Sequence, residues 1–277
     1  MICEVLARRE GFSLAETALS LAILALVIGA LVPGLLSMRA AEQARATQTR
    51  LEAVMRASAA FVQANGCFPC PSTPASQATA GRGWVRGDTN AALCNGCSAP
   101  VGLVPFRALG LSESFARDGY NHWLTFSVDS TLTANNLASV ACKAGDVDPP
   151  CSTDDIAHSA HKKGLCAANL SGVASLNVFL SGGGSAKAAI LVLSHGANAH
   201  GAFAEAGADS TRMAFPSGQL GCNAGVSGAE ACNANGSTSF VAATPGSGTD
   251  PFDDQMLYFD RNALVASAGG AACNTAW

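Results

Sequence analysis

The most prominent hydrophobic feature of the chain is a predominantly apolar run from Phe12 to Leu36. The run exceeds the roughly 20 helical residues that a bilayer core requires, so it predicts a membrane-spanning helix. Over residues 37–65 a spacing of i, i+3, i+4 and i+7 defines one apolar face of a helix. This face is formed by Leu51, Val54, Met55, Ser58, Phe61 and Val62. The helix is therefore predicted to continue in amphipathic form and to stop at Gly66.

Short alternating or β-branched runs predict strands in the second half of the chain. The candidates are Trp123–Val128, Leu176–Leu180, Ala188–Ser194, Ser239–Ala243 and a last strand after Phe252-Asp253-Asp254. The glycine triplet of 181–185 is predicted to be a hairpin turn, because a phosphate cradle needs a lysine and a strand–turn–helix context. Residues 67–117 and 143–163 read as loops. The pattern predicts an α+β fold, with the long helix packed on an antiparallel sheet of about four strands.

Charge adds little to this picture. The chain has 16 Lys+Arg against 20 Asp+Glu, a net charge of −4, and only 13% charged residues. Without a basic stripe the composition does not indicate a nucleic-acid partner.

A polar leader precedes the apolar run and ends at Arg8-Arg9-Glu10-Gly11. A secretory signal would instead place its cleavage site after the apolar stretch. Glu16 lies inside the run, where an ionisable group is costly and usually functional. Arg8 and Arg9 predict a cytoplasmic N-terminus and an external C-terminus by the positive-inside rule. The alternative is an ordinary signal anchor in which Glu16 is an interfacial residue.

The order of Gly11, Phe12 and Glu16 resembles the class III signal of type IV prepilins and pseudopilins. The resemblance implies cleavage between Gly11 and Phe12 by a prepilin peptidase and N-methylation of Phe12. It also implies that Glu16 neutralises the N-terminal amine of a neighbouring subunit during assembly.

The resemblance further implies a ladle-shaped pilin fold with disulfide-braced loops. Its expected parts are a cleaved leader (1–11), a transmembrane and filament-core helix (12–36), an amphipathic helix (37–65) and a globular head (66–277). Pro33 is expected to bend the helix, since proline removes a helical hydrogen bond. It could equally mark the end of the membrane helix.

The implied function is structural and not enzymatic: a minor or tip subunit of a type IV pilus-like filament. The implied partners are prepilin peptidase, other pilin or pseudopilin subunits and an inner-membrane assembly platform. Such a subunit would be stored in the bacterial inner membrane and then move to a periplasmic or surface filament. A type II secretion pseudopilin is the alternative, and a membrane-tethered periplasmic enzyme is less favoured.

Eleven cysteines occur, and processing after Gly11 would remove Cys3. An even number outside the cytoplasm predicts a disulfide framework, and Cys222–Cys232, and Cys142 with Cys151 or Cys166, are guesses at its pairs. The alternative is a zinc ribbon built from the two C-x2-C pairs. The framework would use Cys67, Cys70, Cys94, Cys97, Cys142, Cys151, Cys166, Cys222, Cys232 and Cys273.

Two further segments carry candidate chemistry. The turn with Asp250, Asp253 and Asp254 resembles the C-terminal region of pseudopilins, which implies a structural calcium ion. The residues themselves favour an acidic turn without metal, because calcium needs six to eight oxygen ligands and only these three residues are suggested locally. No other cofactor is expected. Ser194, His195 and His200 suggest a nucleophile–base pair or a metal site. No acidic partner or catalytic motif accompanies them in the sequence, and the loop is expected to be structural.

Overall fold

The computed structural model describes residues 13–65, 67–73, 83–85, 96–97, 99–133, 176–180, 183–204, 211–214, 229–234, 236–243, 252–260 and 263. The chain divides into two compact units, Met1–Ala44 and Arg45–Trp277.

The first unit contains the beginning of helix α1, which runs from Leu14 to Asn65. Large apolar side chains lie exposed all along it from Leu14 to Met38. By length and composition this helix could cross a membrane, and it is the one such helix among the described residues. The predicted long apolar helix is therefore confirmed.

Pro33 lies inside α1, and the helix continues on both sides of it. The proline therefore does not end the helix, although the end of a membrane-spanning part can still fall there. The predicted bend at Pro33 stays a prediction.

In the second unit, α1 from Arg45 onward presents one face to a core. The predicted apolar face is confirmed, because Leu51, Val54, Met55 and Ser58 are at most 1% exposed. Glu52, one position away from this face, is exposed. Helical periodicity alone was sufficient to identify this packing surface.

The described residues contain seven strands and, besides the long α1, a short α-helix, α2. The strands are β1 (Val101–Leu103), β2 (Thr125–Val128), β3 (Leu176–Leu180), β4 (Ser185–Ala188), β5 (Ile190–Ser194), β6 (Ser239–Ala242) and β7 (Gln255–Phe259), and α2 is Ala229–Ala234. Four of them form an antiparallel sheet in the order β1-β2-β5-β7. This sheet matches the predicted four-stranded antiparallel sheet in size.

A second sheet has the order β4-β3-β6, with β3 parallel to β6. The expected partner of β3 across the glycine turn was Ala188–Ser194, and this detail was wrong. The turn instead leads into β4, and Gly183 and Gly184 take positive φ angles of 82° and 107° there. The chain bends at Ala189 and continues as β5 in the first sheet, as strands do when they cross between packed sheets.

The side chains of β5 alternate between two hydrophobic cores, one on each face of the first sheet. Ile190 and Val192 pack with the buried face of α1. Leu191 and Leu193 pack with Leu176, Val178 and Phe240 of the second sheet. The far side of the second sheet carries Val241, in a cluster with Cys232 of α2 and Phe252. The second unit is therefore layered as helix, sheet, sheet, helix.

Candidate functional site

Helix α1 begins with a reciprocal contact between Ser13 and Glu16. The Ser13 amide donates to Glu16 Oε2 at 2.9 Å, and the Glu16 amide donates to Ser13 Oγ at 3.2 Å. This is a capping box, which satisfies two backbone donors at the helix start. Gly11 and Phe12, the predicted processing residues, lie outside the described residues.

The disulfide framework is confirmed where the structure describes it. Cys70 and Cys97 form a disulfide, and Cys67 and Cys232 are also disulfide-bonded. The zinc-ribbon alternative loses support, because zinc needs thiolates and these bonds engage Cys67, Cys70 and Cys97. The other predicted disulfide cysteines lie outside the described residues: Cys94, Cys142, Cys151, Cys166, Cys222 and Cys273. Each of the guessed pairs includes at least one of these residues, so those pairs stay predictions.

Three polar segments that are distant in sequence meet at one end of the first sheet: the turn before β2, the loop after β5 and the segment before β7. The turn before β2 contributes Asp118. This fully buried carboxylate accepts the amides of Tyr120 and His122 at Oδ1, at 2.9 and 2.8 Å. Its Oδ2 accepts the hydroxyl of Ser194 at 2.7 Å. Asp118 thus ties the turn before β2 to the end of β5.

Ser194 and His195 have different partners. Ser194 Oγ donates to Asp118 and accepts the Gly196 amide at 3.2 Å. His195 Nε2 lies 2.9 Å from Thr125 Oγ1. The two residues therefore do not form a nucleophile–base pair, and this geometry agrees with a structural role for the loop.

His195 is held neutral by its surroundings. Burial is the main cause that lowers the pKa of its imidazole to about 3, and the charge of Arg212 contributes to this shift, with smaller effects from His122 and His200. The backbone carbonyl of His200 opposes part of this shift. Burial also lowers the pKa of Arg212, to about 10, so its guanidinium stays charged at neutral pH and donates to the Gly201 carbonyl at 2.7 Å.

The loop after β5 is held against the segment before β7 by Asp253. Asp253 Oδ2 accepts the amides of Ala197 and Asn198 at 2.8 and 3.1 Å. Gly196 permits this approach: its φ is +61°, and a Cβ there would lie 2.3 Å from Asp253 Cγ. Only glycine fits this combination of angle and contact.

Helix α2 contributes a second acidic residue to the same loop. Glu230 is 3% exposed. Its Oε1 accepts Asn198 Nδ2 at 2.8 Å, and its Oε2 lies 2.7 Å from His200 Nδ1. Asn198 therefore bridges Glu230 and Asp253.

One helical turn further on, Asn233 holds Asp254. Its Nδ2 donates to Asp254 Oδ2 at 2.7 Å, and its Oδ1 accepts the amide of Val241 at 2.8 Å. Asp254 is 4% exposed. Burial raises the pKa of its carboxyl well above the usual value, with Glu230 and Asp253 adding to the effect and Asn233 opposing it.

One carboxylate oxygen from each of Glu230, Asp253 and Asp254 lies within 4.8 Å of the other two. The structure thus brings together two of the three predicted calcium ligands and adds Glu230. The third predicted ligand, Asp250, lies outside the described residues. All three side chains offer oxygen, the donor that calcium and magnesium prefer.

No protein-family model, curated protein or solved structure matches this chain.

Sequence reasoning did not identify Glu230 and Asn233 as site residues. They stand three positions apart, so that both project from one face of α2, in an otherwise small-residue segment. That spacing is the signal that would have singled them out. It does not reveal that Asp253 and Asp254 are their partners.

Proposed function

We propose that this chain is a membrane-anchored structural subunit of a type IV pilus-like filament, with a minor or tip position. The observation that carries the proposal is the spacing of Gly11, Phe12 and Glu16 at the start of the exposed apolar part of the chain. An apolar surface of that length needs lipid or other apolar helices around it. The stem would exchange one for the other on assembly.

Glu16 is the assembly residue in this proposal. Its contact with Ser13 occupies one site on one oxygen, and a carboxylate has about four acceptor sites on its two oxygens. The carboxylate can therefore cap its own helix and still accept the N-terminal amine of a neighbouring subunit. Such a charge-assisted contact would be strong in an apolar filament core.

The subunit is proposed to lie in the inner membrane with its N-terminus in the cytoplasm. The Cys70–Cys97 disulfide supports an external second unit, because disulfides persist in oxidising compartments. Prepilin peptidase, fellow subunits and an assembly platform are the proposed partners. The subunit itself is proposed to perform no catalysis.

Mass analysis of the N-terminus tests the proposal. In cells with the prepilin peptidase the membrane form should begin at N-methyl-Phe12, and without the peptidase it should begin at Met1. Gly11→Val should block processing, while Gly29→Val should not, because Gly29 has open space around it. An intact Met1 in a processing-competent host would overturn the proposal.

A type II secretion pseudopilin is the second candidate, and the acidic turn at Phe252-Asp253-Asp254 favours it. Deletion of the gene separates the two. Loss of protein secretion with intact surface filaments indicates the pseudopilin. Loss or shortening of filaments that can be sheared from the cell surface indicates the pilus subunit.

A further inference from the structure

The carboxylates of Glu230, Asp253 and Asp254 form a cluster that their hydrogen bonds do not fully satisfy. Among the described residues, neither Asp253 Oδ1 nor Asp254 Oδ1 has a hydrogen-bond partner, and both atoms are buried from solvent. A buried acceptor without a partner costs about 1–3 kcal/mol, and more when it is charged. Two such oxygens on adjacent residues call for a ligand.

The other oxygen of each aspartate is already held in place. Asp253 Oδ2 accepts two backbone amides of the loop after β5, and Asp254 Oδ2 accepts Asn233 Nδ2. These contacts fix both carboxyl groups, so the unpartnered oxygens keep their positions. A preformed arrangement of this kind lowers the entropic cost of binding a small ion.

The charge balance of the cluster points to a cation. His200 lies beside Glu230 Oε2 at 2.7 Å. His200 offers at most one positive charge to a group of three carboxylates, so a bound cation would stabilise their charged forms.

The spacing of the oxygens fits a calcium ion. Ligand oxygens lie 2.3–2.6 Å from calcium, so two of them on one ion are at most about 5 Å apart. One carboxylate oxygen from each of the three residues lies within 4.8 Å of the other two. Magnesium requires shorter distances and near-octahedral geometry and usually keeps several waters. A site built only from carboxylate oxygens also disfavours zinc and copper.

We propose that Glu230, Asp253 and Asp254 together bind one calcium ion, which joins α2 to the segment before β7. Glu230 is the decisive ligand, because it comes from a different element than the two aspartates. This site differs from the local aspartate loop of Asp250, Asp253 and Asp254 that the family resemblance implies. The proposal does not depend on the filament assignment.

The test uses the full-length protein in detergent, stripped with EDTA and titrated with CaCl2. Isothermal titration should give one site, and 100 times the dissociation constant should raise Tm by about 5–10 °C. Glu230→Gln should lower the affinity at least tenfold and abolish the shift. Asp260→Asn is the matched control, because Asp260 is an exposed acid at the other end of β7, and it should bind as the wild type does.

Three outcomes would overturn the proposal. Wild-type protein that binds no calcium would refute the site directly. Unchanged affinity in Glu230→Gln would exclude α2 from the site, and if Asp250→Asn then abolished binding, the site would be the local loop. If Glu230→Gln does not fold, Asp254→Asn decides in its place: retained binding would contradict the proposal.

Discussion

The backbone of Gly196 packs so closely against Asp253 that a side chain at this position would clash with it. Replacement of Gly196 gives the first prediction. Gly196→Ala would put a Cβ 2.3 Å from Asp253 Cγ and would also strain a φ of +61°. The left-handed strain costs about 1–2 kcal/mol, and displacement of the half-buried Asp253 carboxylate adds to it. We expect a loss of more than about 3 kcal/mol in unfolding free energy, measured by denaturant titration.

Gly110 provides the matched control for this prediction. Its φ is +69°, and a Cβ there would meet nothing within 4 Å. Gly110→Ala should therefore show the backbone strain alone. Equal losses in the two variants would mean that Asp253 moves away without cost.

His195 gives a prediction about pH. Its pKa is lowered from 6.5 to about 3 by burial and by Arg212, so below pH 6.5 the unfolded chain binds a proton that the folded chain does not. Stability from this residue is complete above pH 6.5 and is lost as pH falls towards 3, by up to about 1.36 kcal/mol per pH unit. In His195→Gln this part of the slope should disappear.

The measurement is denaturant unfolding of both proteins between pH 4 and pH 7.5. The difference at pH 7.5, where the imidazole is neutral in both states, reports the packing cost of the substitution by itself. NMR of the wild-type ring should show a neutral His195 at pH 5. Parallel pH profiles for the two proteins, or a ring that titrates near 6.5, would contradict the prediction.

At the residue scale, sequence reasoning identified only part of the acidic cluster. Asp253 and Asp254 could be predicted, because they stand next to each other in a turn before a strand. Glu230 could not, since its approach to them depends on α2 packing against the second sheet. The spacing of Glu230 and Asn233 marks one face of α2 but does not identify the aspartates that this face contacts.

At the element scale, a strong local period allowed prediction. The face of α1 around Leu51 and Val54 and the strands β3, β6 and β7 follow from such patterns. The three-residue strand β1 is too short to show a period. The bend at Ala189 and the parallel pairing of β3 with β6 depend on which sheet each strand joins, and that is a tertiary property.

The Cys70–Cys97 disulfide gives an element-scale prediction about the loops that it joins. It links residues 27 positions apart, and closing a loop of that size in the unfolded chain is worth about 3–4 kcal/mol in the chain-entropy model. The double variant Cys70→Ser/Cys97→Ser, which leaves no unpaired thiol at this bridge, should lose about that much stability to denaturant.

Reduction of the wild-type protein is not a matched comparison, because it opens the disulfides of Cys67 and Cys232 as well. It should therefore cost more than the double variant. A double variant with an unchanged unfolding midpoint would mean that the loops are held by packing alone.

At the scale of the whole molecule, the two units differ in whether their apolar side chains are covered. The second unit buries its apolar residues in its own cores. The apolar side chains of α1 between Leu14 and Met38 have no such cover within the described residues. A bilayer could supply that cover, and in the proposed function helices of other subunits would supply it after assembly.

Two lysines in the exposed apolar part of α1 test this argument. Leu24 and Ile28 are 53% and 51% exposed and lie one turn apart, and a lysine near the centre of a span costs about 2.5–3.5 kcal/mol on insertion scales. We expect wild-type chain to stay in carbonate-washed membranes and Leu24→Lys/Ile28→Lys to leave them. Ala41→Lys/Gln48→Lys adds the same charge at exposed positions beyond the apolar run, so it should remain with the membrane. Wild-type chain in the soluble fraction, or equal release of both double variants, would contradict a membrane anchor in α1.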